Sequence, residues 1–221
     1  MPVWGSLYFQ NSVGPVMEQL IFFHDHVMVV LILITVMVGY VLLVSVVGKM
    51  FHRSVMEGQE LESVWTVLPG IFLLIIAFPS LSLLYMMEEM ESPDLSVKAV
   101  GHQWYWVYEY ADLGLSVVES YMVPSGEEKV FRLLEVDNCL LLPNDVSIRV
   151  VVTSSDVIHS WTVPVVGVKA DGVPGRLNQV MMDMSRCGVY VGQCSEICGA
   201  NHSFMPIVLG VVSSEGFLGM W

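Results

Sequence analysis

Charged side chains are scarce in this 221-residue sequence. They make up 14% of it, against about 25% in an average soluble protein, whereas hydrophobic residues make up 54%. Basic residues are scarcer still, with 9 Lys and Arg against 22 Asp and Glu. Nucleic acids are therefore excluded as partners, because phosphate binding requires clustered Lys and Arg. Intrinsic disorder is excluded as well, since so apolar a chain can bury a core.

Cysteine is also rare. The four cysteines, at positions 139, 187, 194 and 198, are too few and too late in the chain for a disulfide framework. Cys139 and Cys187 have no histidine or cysteine at ligand spacing. We therefore expect these two residues to be buried free thiols.

Charged residues are absent from two long apolar stretches, residues 26–48 and residues 63–87. Each stretch exceeds the ~20 residues that an α-helix needs to cross the hydrocarbon core of a lipid bilayer. Two buried helices of a soluble protein explain them less well, because such helices usually keep a polar face. Residues 1–87 are therefore predicted to form an N-terminal segment and a transmembrane helical hairpin.

The few basic residues predict the orientation of this hairpin. Lys49 and Arg53 lie in the loop between the two stretches, whereas residues 1–25 contain neither lysine nor arginine. By the positive-inside rule, the loop faces the negative side of the membrane and both termini face the other side. Residues 88–221, with 17 acidic and 7 basic side chains, would then form an acidic exported domain.

Beyond residue 88 the apolar residues occur in short runs with a period of two, separated by turns rich in Gly, Pro, Asn and Asp. The runs are residues 97–110, 130–134, 146–153, 161–166, 189–193 and 206–212. Such runs predict an antiparallel β-sandwich or a Greek-key barrel. In the aromatic run, alternation places Trp104 on one strand face with Trp106 and Tyr108. The predicted fold class is membrane-anchored all-β, with a two-helix hairpin before a Greek-key β-barrel.

Metal-binding side chains are concentrated near the end of the chain. Cys194, Cys198, His202 and Met205 fall within twelve residues, on a glycine-flanked loop between two predicted strands. Thiolate, imidazole and thioether together are typical of copper electron-transfer sites. Because a mononuclear site needs only one cysteine, two cysteines predict two copper ions that both thiolates bridge.

A pair of coppers needs a second histidine, and the spacing of the residues leaves two candidates, His102 and His159. Two other interpretations use the same residues. Cys194, Cys198, His202 and His159 could form a tetrahedral zinc site, or the two cysteines could form a disulfide.

Four segments carry a resemblance to a known family. They are Gly101–Trp106, Ser155–Trp161, Pro174–Asn178 and Gly192–Met205. Together with the two-span hairpin they resemble subunit II of cytochrome c oxidase, in its short mitochondrial form, over essentially the whole chain. The resemblance implies that residues 88–221 form a cupredoxin-like Greek-key barrel that holds a dinuclear copper centre, CuA.

The resemblance also implies roles for single residues. The copper ligands would be five side chains and the backbone carbonyl of Glu196. The five side chains are His159, Cys194, Cys198, His202 and Met205. The Glu196 carboxylate would bind a magnesium ion shared with subunit I. Trp104 would be the point where electrons enter, and Glu62 the mouth of a proton path into subunit I. For Glu62 the alternative is an acid favoured by the helix dipole.

The function that follows from the resemblance is electron transfer in the respiratory chain. The chain would accept electrons from cytochrome c and relay them to haem in subunit I, where oxygen is reduced to water and protons are pumped. Its location would be the mitochondrial inner membrane, with both termini and the copper domain in the intermembrane space.

The acidic surface of the exported domain would then bind cytochrome c, a basic partner. The candidate docking residues are Glu109, Asp112, Glu119 and Asp156. For any one of them, a generic acidic surface that maintains solubility is the alternative. Two rival functions are a quinol oxidase subunit, which would lack the copper ligands, and a membrane-tethered copper-delivery protein.

Overall fold

The computed structural model describes residues 5–48, 54–89, 92–114, 117–124 and 131–220. Lys49 and Arg53, on which the predicted orientation depends, lie outside these ranges. The chain divides into two compact units. One unit comprises residues 20–86, and the other combines residues 1–19 with residues 87–221.

The first unit is built from two apolar helices. Helix α1 spans Pro15–Val47 and helix α2 spans Gln59–Glu88. Both are long and apolar enough to cross a membrane. Apolar side chains are exposed on all sides of each helix, as expected for contact with lipid or with other membrane helices. The two predicted spans, residues 26–48 and 63–87, lie within these helices apart from residue 48, and α1 begins well before its span, at Pro15.

The second unit is a β-domain, in which the described residues contain ten strands. They are β1 Leu95–His102, β2 Tyr105–Tyr110, β3 Val118–Ser120, β4 Leu140–Pro143, β5 Ser147–Ser154, β6 His159–Val163, β7 Val168–Gly172, β8 Asn178–Asp183, β9 Gly188–Gln193 and β10 Pro206–Val212. A short helix, α3, spans Ser214–Gly219. The order in the largest sheet is β3-β2-β1-β5-β8, and β4-β10-β9 and β6-β7 form two smaller sheets.

Alternation along the strands fills the core between these sheets. On β5, Ile148, Val150 and Val152 are fully buried, as their period of two predicts. Leu140 on β4 and Leu209 on β10 are also fully buried in this core. Not every strand pair is antiparallel, because β1 pairs in parallel with β5, and β10 with β4. Alternation reports which face of a strand is buried and carries no information about strand direction.

Residues 97–110 form a hairpin and not one strand. The chain reverses at Gln103 and Trp104, so that His102 on β1 pairs with Tyr105 on β2. Trp104 therefore does not share a strand face with the buried Trp106. The turn contains no glycine, asparagine or proline, and hydrophobic periodicity alone could not reveal it.

Three smaller expectations also fail or lie outside the described residues. Residues 131–134 form a turn instead of a strand, and residue 130 lies outside the described ranges. Strands β3, β4, β7 and β8 were not predicted. Cys187 is exposed and Cys139 is only partly buried, so the expectation of two buried thiols is wrong. The lack of a histidine or cysteine at ligand spacing shows that a cysteine is not part of a local metal motif. It does not show whether the side chain is buried.

The segment before helix α1 packs against the β-domain. Val13 is buried, and its N–H donates to the carbonyl of Val165 (3.2 Å). The carbonyl of Val13 accepts two hydrogen bonds from Ser185, one from its N–H (3.0 Å) and one from its Oγ (2.9 Å). A Cβ at Gly14 would collide with the carbonyl of Asp183, so the close approach of this segment to the Asp183 backbone requires glycine. Residues 5–14 are therefore called the N-terminal strap below.

Candidate metal centre

Two neighbouring parts of the β-domain bring the predicted ligands together. His159 is the first residue of β6, and Cys194 and Cys198 lie on the loop that connects β9 to β10. The N–H of Ser195 donates to the carbonyl of Ser160 (3.1 Å) and ties this loop to β6. His159 therefore lies next to the loop that carries the two cysteines.

Three of the predicted ligands form a compact, buried cluster. One ligand atom from each of His159, Cys194 and Cys198 lies within 4.8 Å of the other two. His159 is fully buried, and the two cysteines are 7% and 4% exposed. So dry a cluster of sulfur and nitrogen donors is suited to a soft or borderline metal ion.

The donor atoms divide into two matching halves. The Sγ of Cys194 lies 3.9 Å from Nδ1 of His159 and 3.4 Å from the carbonyl oxygen of Glu196. The Sγ of Cys198 lies 3.4 Å from Nδ1 of His202 and 3.5 Å from Sδ of Met205. Each half thus offers a thiol, an imidazole nitrogen and one weak ligand. Six donors in two such halves fit a pair of copper ions and exceed the four that one zinc ion takes.

The other candidate histidine lies outside this donor set. Nδ1 of His102 is 2.7 Å from Oγ of Ser155, and its ring stacks on Tyr105 with centroids 4.8 Å apart. These contacts occupy one nitrogen and one face of the imidazole. His102 is therefore part of the hairpin surface.

Asp156 supports His159 from the side away from the cysteines. Its Oδ1 lies 2.8 Å from Nε2 of His159 and fixes the ring so that Nδ1 faces Cys194. Burial acts to lower the pKa of His159, but the contacts with Cys194 and Asp156 outweigh it and raise the pKa. Burial acts to raise the pKa of Asp156, but hydrogen bonds from His159 and two backbone N–H groups lower it overall.

The two thiols differ in acidity although they are close in space. Burial acts to raise the pKa of Cys194, but its hydrogen bond with His159 prevails and lowers the pKa to about 7. Burial and the neighbouring Cys194 charge raise the pKa of Cys198 to about 12. The second thiol therefore keeps its proton until a metal ion replaces it.

The turn at Gln103 and Trp104, whose connecting peptide bond is cis, lies against the ligand loop. Nε2 of Gln103 donates to the carbonyl of Cys198 (2.8 Å). A Cβ built on Gly199 would lie 3.0 Å from the indole of Trp104, and the φ of Gly199 is +135°, which favours glycine. Trp104 is thus adjacent to the candidate metal centre without supplying a ligand.

The predicted docking acids have different surroundings. Oε2 of Glu109 forms an ion pair with Nζ of Lys98 (3.0 Å) across strands β1 and β2. Oδ2 of Asp112 accepts the N–H of Ser96 (2.6 Å). On β3, Oε2 of Glu119 accepts the hydroxyl of Tyr121 (3.2 Å). The fourth, Asp156, is the residue that supports His159.

Glu196 and Glu62 occupy different units of the structure. The Glu196 carbonyl faces Cys194, and its side chain is partly buried. Glu62 lies in the first turn of helix α2, where its N–H donates to the carbonyl of Gly58 (2.9 Å). The residues that reasoning from sequence missed are Gln103, Gly101 and Gly199, which pack against the ligands without binding metal.

Comparison with known proteins agrees with this geometry. Residues 95–212 match the family described as "Cytochrome C oxidase subunit II, periplasmic domain", and residues 2–83 match its transmembrane domain. The chain belongs to the cytochrome c oxidase subunit II family. Cytochrome c oxidase subunit 2 of Yponomeuta malinellus is 52% identical over 220 residues, which cover 99% of this chain and 96% of that protein. The protein of the same name from Simulium vittatum is 54% identical over 211 residues, covering 95% and 92%.

Solved structures of the family resemble the β-domain. One is the periplasmic domain of subunit II of cytochrome oxidase from Bradyrhizobium japonicum, with 44% identity and a TM-score of 0.56. The matched region covers 60% of this chain and 94% of the Bradyrhizobium japonicum domain. Another is subunit II in a mixed-disulfide intermediate with a thioredoxin-like protein, with 43% identity, a TM-score of 0.53 and coverages of 60% and 92%. The predicted family and the predicted cupredoxin-like fold are confirmed.

Family membership and the donor set together argue against both rival functions. A quinol oxidase subunit would lack the paired thiols, which are present and face two imidazoles. A copper-delivery protein would not belong to this oxidase family over nearly its whole length. The chain is a subunit of an oxidoreductase complex, as predicted.

Proposed function

We propose that this protein receives the electrons that enter cytochrome c oxidase. It accepts them one at a time from reduced cytochrome c at a dinuclear copper centre and passes them to haem in subunit I, where oxygen is reduced to water and protons are pumped. The main support is that the Sγ atoms of Cys194 and Cys198 each lie close to one imidazole nitrogen and one weaker donor atom. Other subunits of the complex supply the oxygen chemistry.

The chain's own residues prepare the site for copper. Together, the thiolates of Cys194 and Cys198, the imidazoles of His159 and His202, the Met205 thioether and the Glu196 carbonyl would hold two copper ions. When bound, the two coppers supply a carrier for a single electron. Burial of both cysteines excludes water, and this limits rearrangement when the charge of the site changes.

A direct test is the paramagnetic resonance spectrum of the oxidised enzyme assembled with the full chain. Two equivalent coppers that share one unpaired electron give a seven-line hyperfine pattern, and metal analysis should find two coppers in this subunit. A four-line pattern of one copper, or a single zinc ion, would refute the assignment.

Glu196 is proposed to have a second metal role. Its carbonyl serves copper, which leaves the carboxylate available for a magnesium ion shared with subunit I. Glu196→Gln should therefore lose magnesium and retain the copper spectrum, because the backbone carbonyl is unchanged. Simultaneous loss of copper would show that the two roles are not separate.

Docking of cytochrome c is proposed for the acidic surface, and electron uptake for Trp104. The support is the position of Trp104 beside Gly199 and Cys198 on the ligand loop. Asp112 and Glu119 are the acids through which charge should act, since Glu109 already pairs with Lys98. Asp156 remains a predicted docking acid as well, although its carboxylate also serves His159.

The membrane location is proposed from the two apolar helices and from the mitochondrial type of the relatives. Residues 1–87 would form the N-terminal segment and hairpin in the mitochondrial inner membrane, in contact with lipid. Both termini and the copper domain, residues 88–221, would lie in the intermembrane space. Glu62, in the first turn of α2, would lie at the mouth of a proton path into subunit I. Glu62→Gln should then slow proton uptake, whereas a helix-end acid would affect only stability.

A further inference from the structure

The carboxylate of Asp156 divides its two oxygens between a metal ligand and the hairpin turn. Oδ1 lies 2.8 Å from Nε2 of His159 and also accepts the N–H of Val157 (2.6 Å). Oδ2 accepts the N–H of Gln103 (2.7 Å), 53 residues away in the sequence. One side chain thus connects the strand that carries His159 to the turn that carries Trp104.

Gln103 has a second attachment, on the opposite half of the centre. Its Nε2 donates to the carbonyl of Cys198 (2.8 Å). The residue is therefore held through its backbone by Asp156 and through its side chain by the ligand loop. The turn cannot shift against the centre without breaking one of these two hydrogen bonds.

Trp104 follows Gln103 in this turn and makes no side-chain hydrogen bond among the described residues, although its Nε1 is buried. The indole packs against Gly199, which has no side chain that could contact it. Packing against the core and the attachment of the neighbouring Gln103, and not a hydrogen bond of its own, are what hold the indole in place.

We infer that Asp156 and Gln103 form a clamp that positions Trp104 against the copper ligands and at the same time orients the His159 ring. Both are positioning residues, and the inference rests on the proposed function. A carboxylate is required at position 156 because both of its sides must accept hydrogen bonds. An amide offers one acceptor and one donor group, so it can satisfy only His159 or the Gln103 N–H. Losing the clamp loosens the alignment between indole and copper, and electron transfer falls steeply with distance.

Three variants of the assembled oxidase test the clamp. Asp156→Asn removes one negative charge and one acceptor, and Asp112→Asn removes the same charge outside the clamp. Gln103→Glu keeps the side-chain shape, loses the donor to Cys198 and adds a negative charge. Three quantities are measured by stopped flow and spectroscopy: cytochrome c association across a salt series, the transfer rate within the bound complex, and the spectrum and reduction potential of copper.

The clamp predicts results that a docking role does not. Asp156→Asn should slow transfer within the complex by about 10- to 100-fold, the usual effect of losing a partner of a metal ligand, and should alter the copper spectrum. Gln103→Glu should slow transfer about tenfold, although its added negative charge favours association with a basic partner. Asp112→Asn should change association alone.

The outcomes separate the clamp from the proposed function. If Asp156→Asn matches Asp112→Asn in every measurement, Asp156 is a docking acid and the clamp is wrong. If Gln103→Glu transfers electrons at the parent rate, the turn is not held as described, and the clamp is again wrong. A parent enzyme without the seven-line spectrum would refute the proposed function and the clamp together.

Discussion

Gly101 lies directly against the imidazole of His159, so that a Cβ at position 101 would be 2.8 Å from the ring. Gly101→Ala should therefore displace His159, lower the copper content and destabilise the protein by about 1–3 kcal/mol, the usual effect of overpacking. Thermal unfolding of the full chain and copper analysis check this. Gly219→Ala is a matched control, because nothing lies within 4 Å of a Cβ there. Full copper occupancy in Gly101→Ala would contradict the prediction.

The two sulfur ligands of the second half should differ in importance. Cys198 is predicted to bridge both coppers, so Cys198→Ser should abolish the dinuclear spectrum. Met205, whose Sδ lies 3.5 Å from Cys198 Sγ, is the proposed weak ligand, and Met205→Leu should retain copper but shift its spectrum and potential. Metal analysis and paramagnetic resonance measure both effects. Equal and complete copper loss in the two variants would show that the ligands are ranked wrongly.

Docking and electron uptake should separate by mutation. Asp112→Asn and Glu119→Gln should weaken cytochrome c association and flatten its salt dependence, because charge attraction acts over a Debye length of ~8 Å at physiological salt. Trp104→Phe should leave association nearly normal and slow transfer within the complex severely. The copper spectrum should survive all three substitutions. A parent transfer rate in Trp104→Phe would mean that electrons enter elsewhere.

Copper uptake by metal-free protein should depend on pH. Copper binds thiolates, and Cys198 holds its proton below a pKa of about 12, so at least one proton must leave on binding. Below pH ~7 Cys194 is protonated as well. The apparent affinity should therefore fall as pH falls, about tenfold per unit above pH ~7 and more steeply below it. Competition with a chelator from pH ~6 to ~9 measures this, and a flat profile would contradict it.

The ligand loop could be predicted from sequence because Cys194, Cys198, His202 and Met205 are local in the chain. The buried face of β5 could also be predicted, since alternation is a local property. The choice of His159 over His102 could not, because it depends on how β6 packs against a loop 35 residues later. For the same reason the bond between Asp156 and the Gln103 N–H was not visible, and Asp156 was expected to act only through its charge.

Strand direction marks another limit of sequence reasoning. The parallel pairing of β1 with β5 joins Val97 to Val150, and nothing in either run indicates the direction of its neighbour. The turn at Gln103 lacks the residues that usually announce a hairpin. Its conformation is stabilised instead by Asp156 and by the carbonyl of Cys198, which are distant in sequence.

If both helices cross the membrane as proposed, the N-terminal strap makes folding of the β-domain a check on membrane insertion. The hydroxyl of Ser185 bonds the carbonyl of Val13 across 172 residues, with both apolar helices in between. A segment that precedes both helices in the sequence therefore completes a core whose strands all follow them. If only one helix crossed the bilayer, the strap and the β-domain would be left on opposite sides, and the core around Val13 would stay open. Misinserted chains would thus be exposed to proteases, while correctly inserted ones close and become resistant.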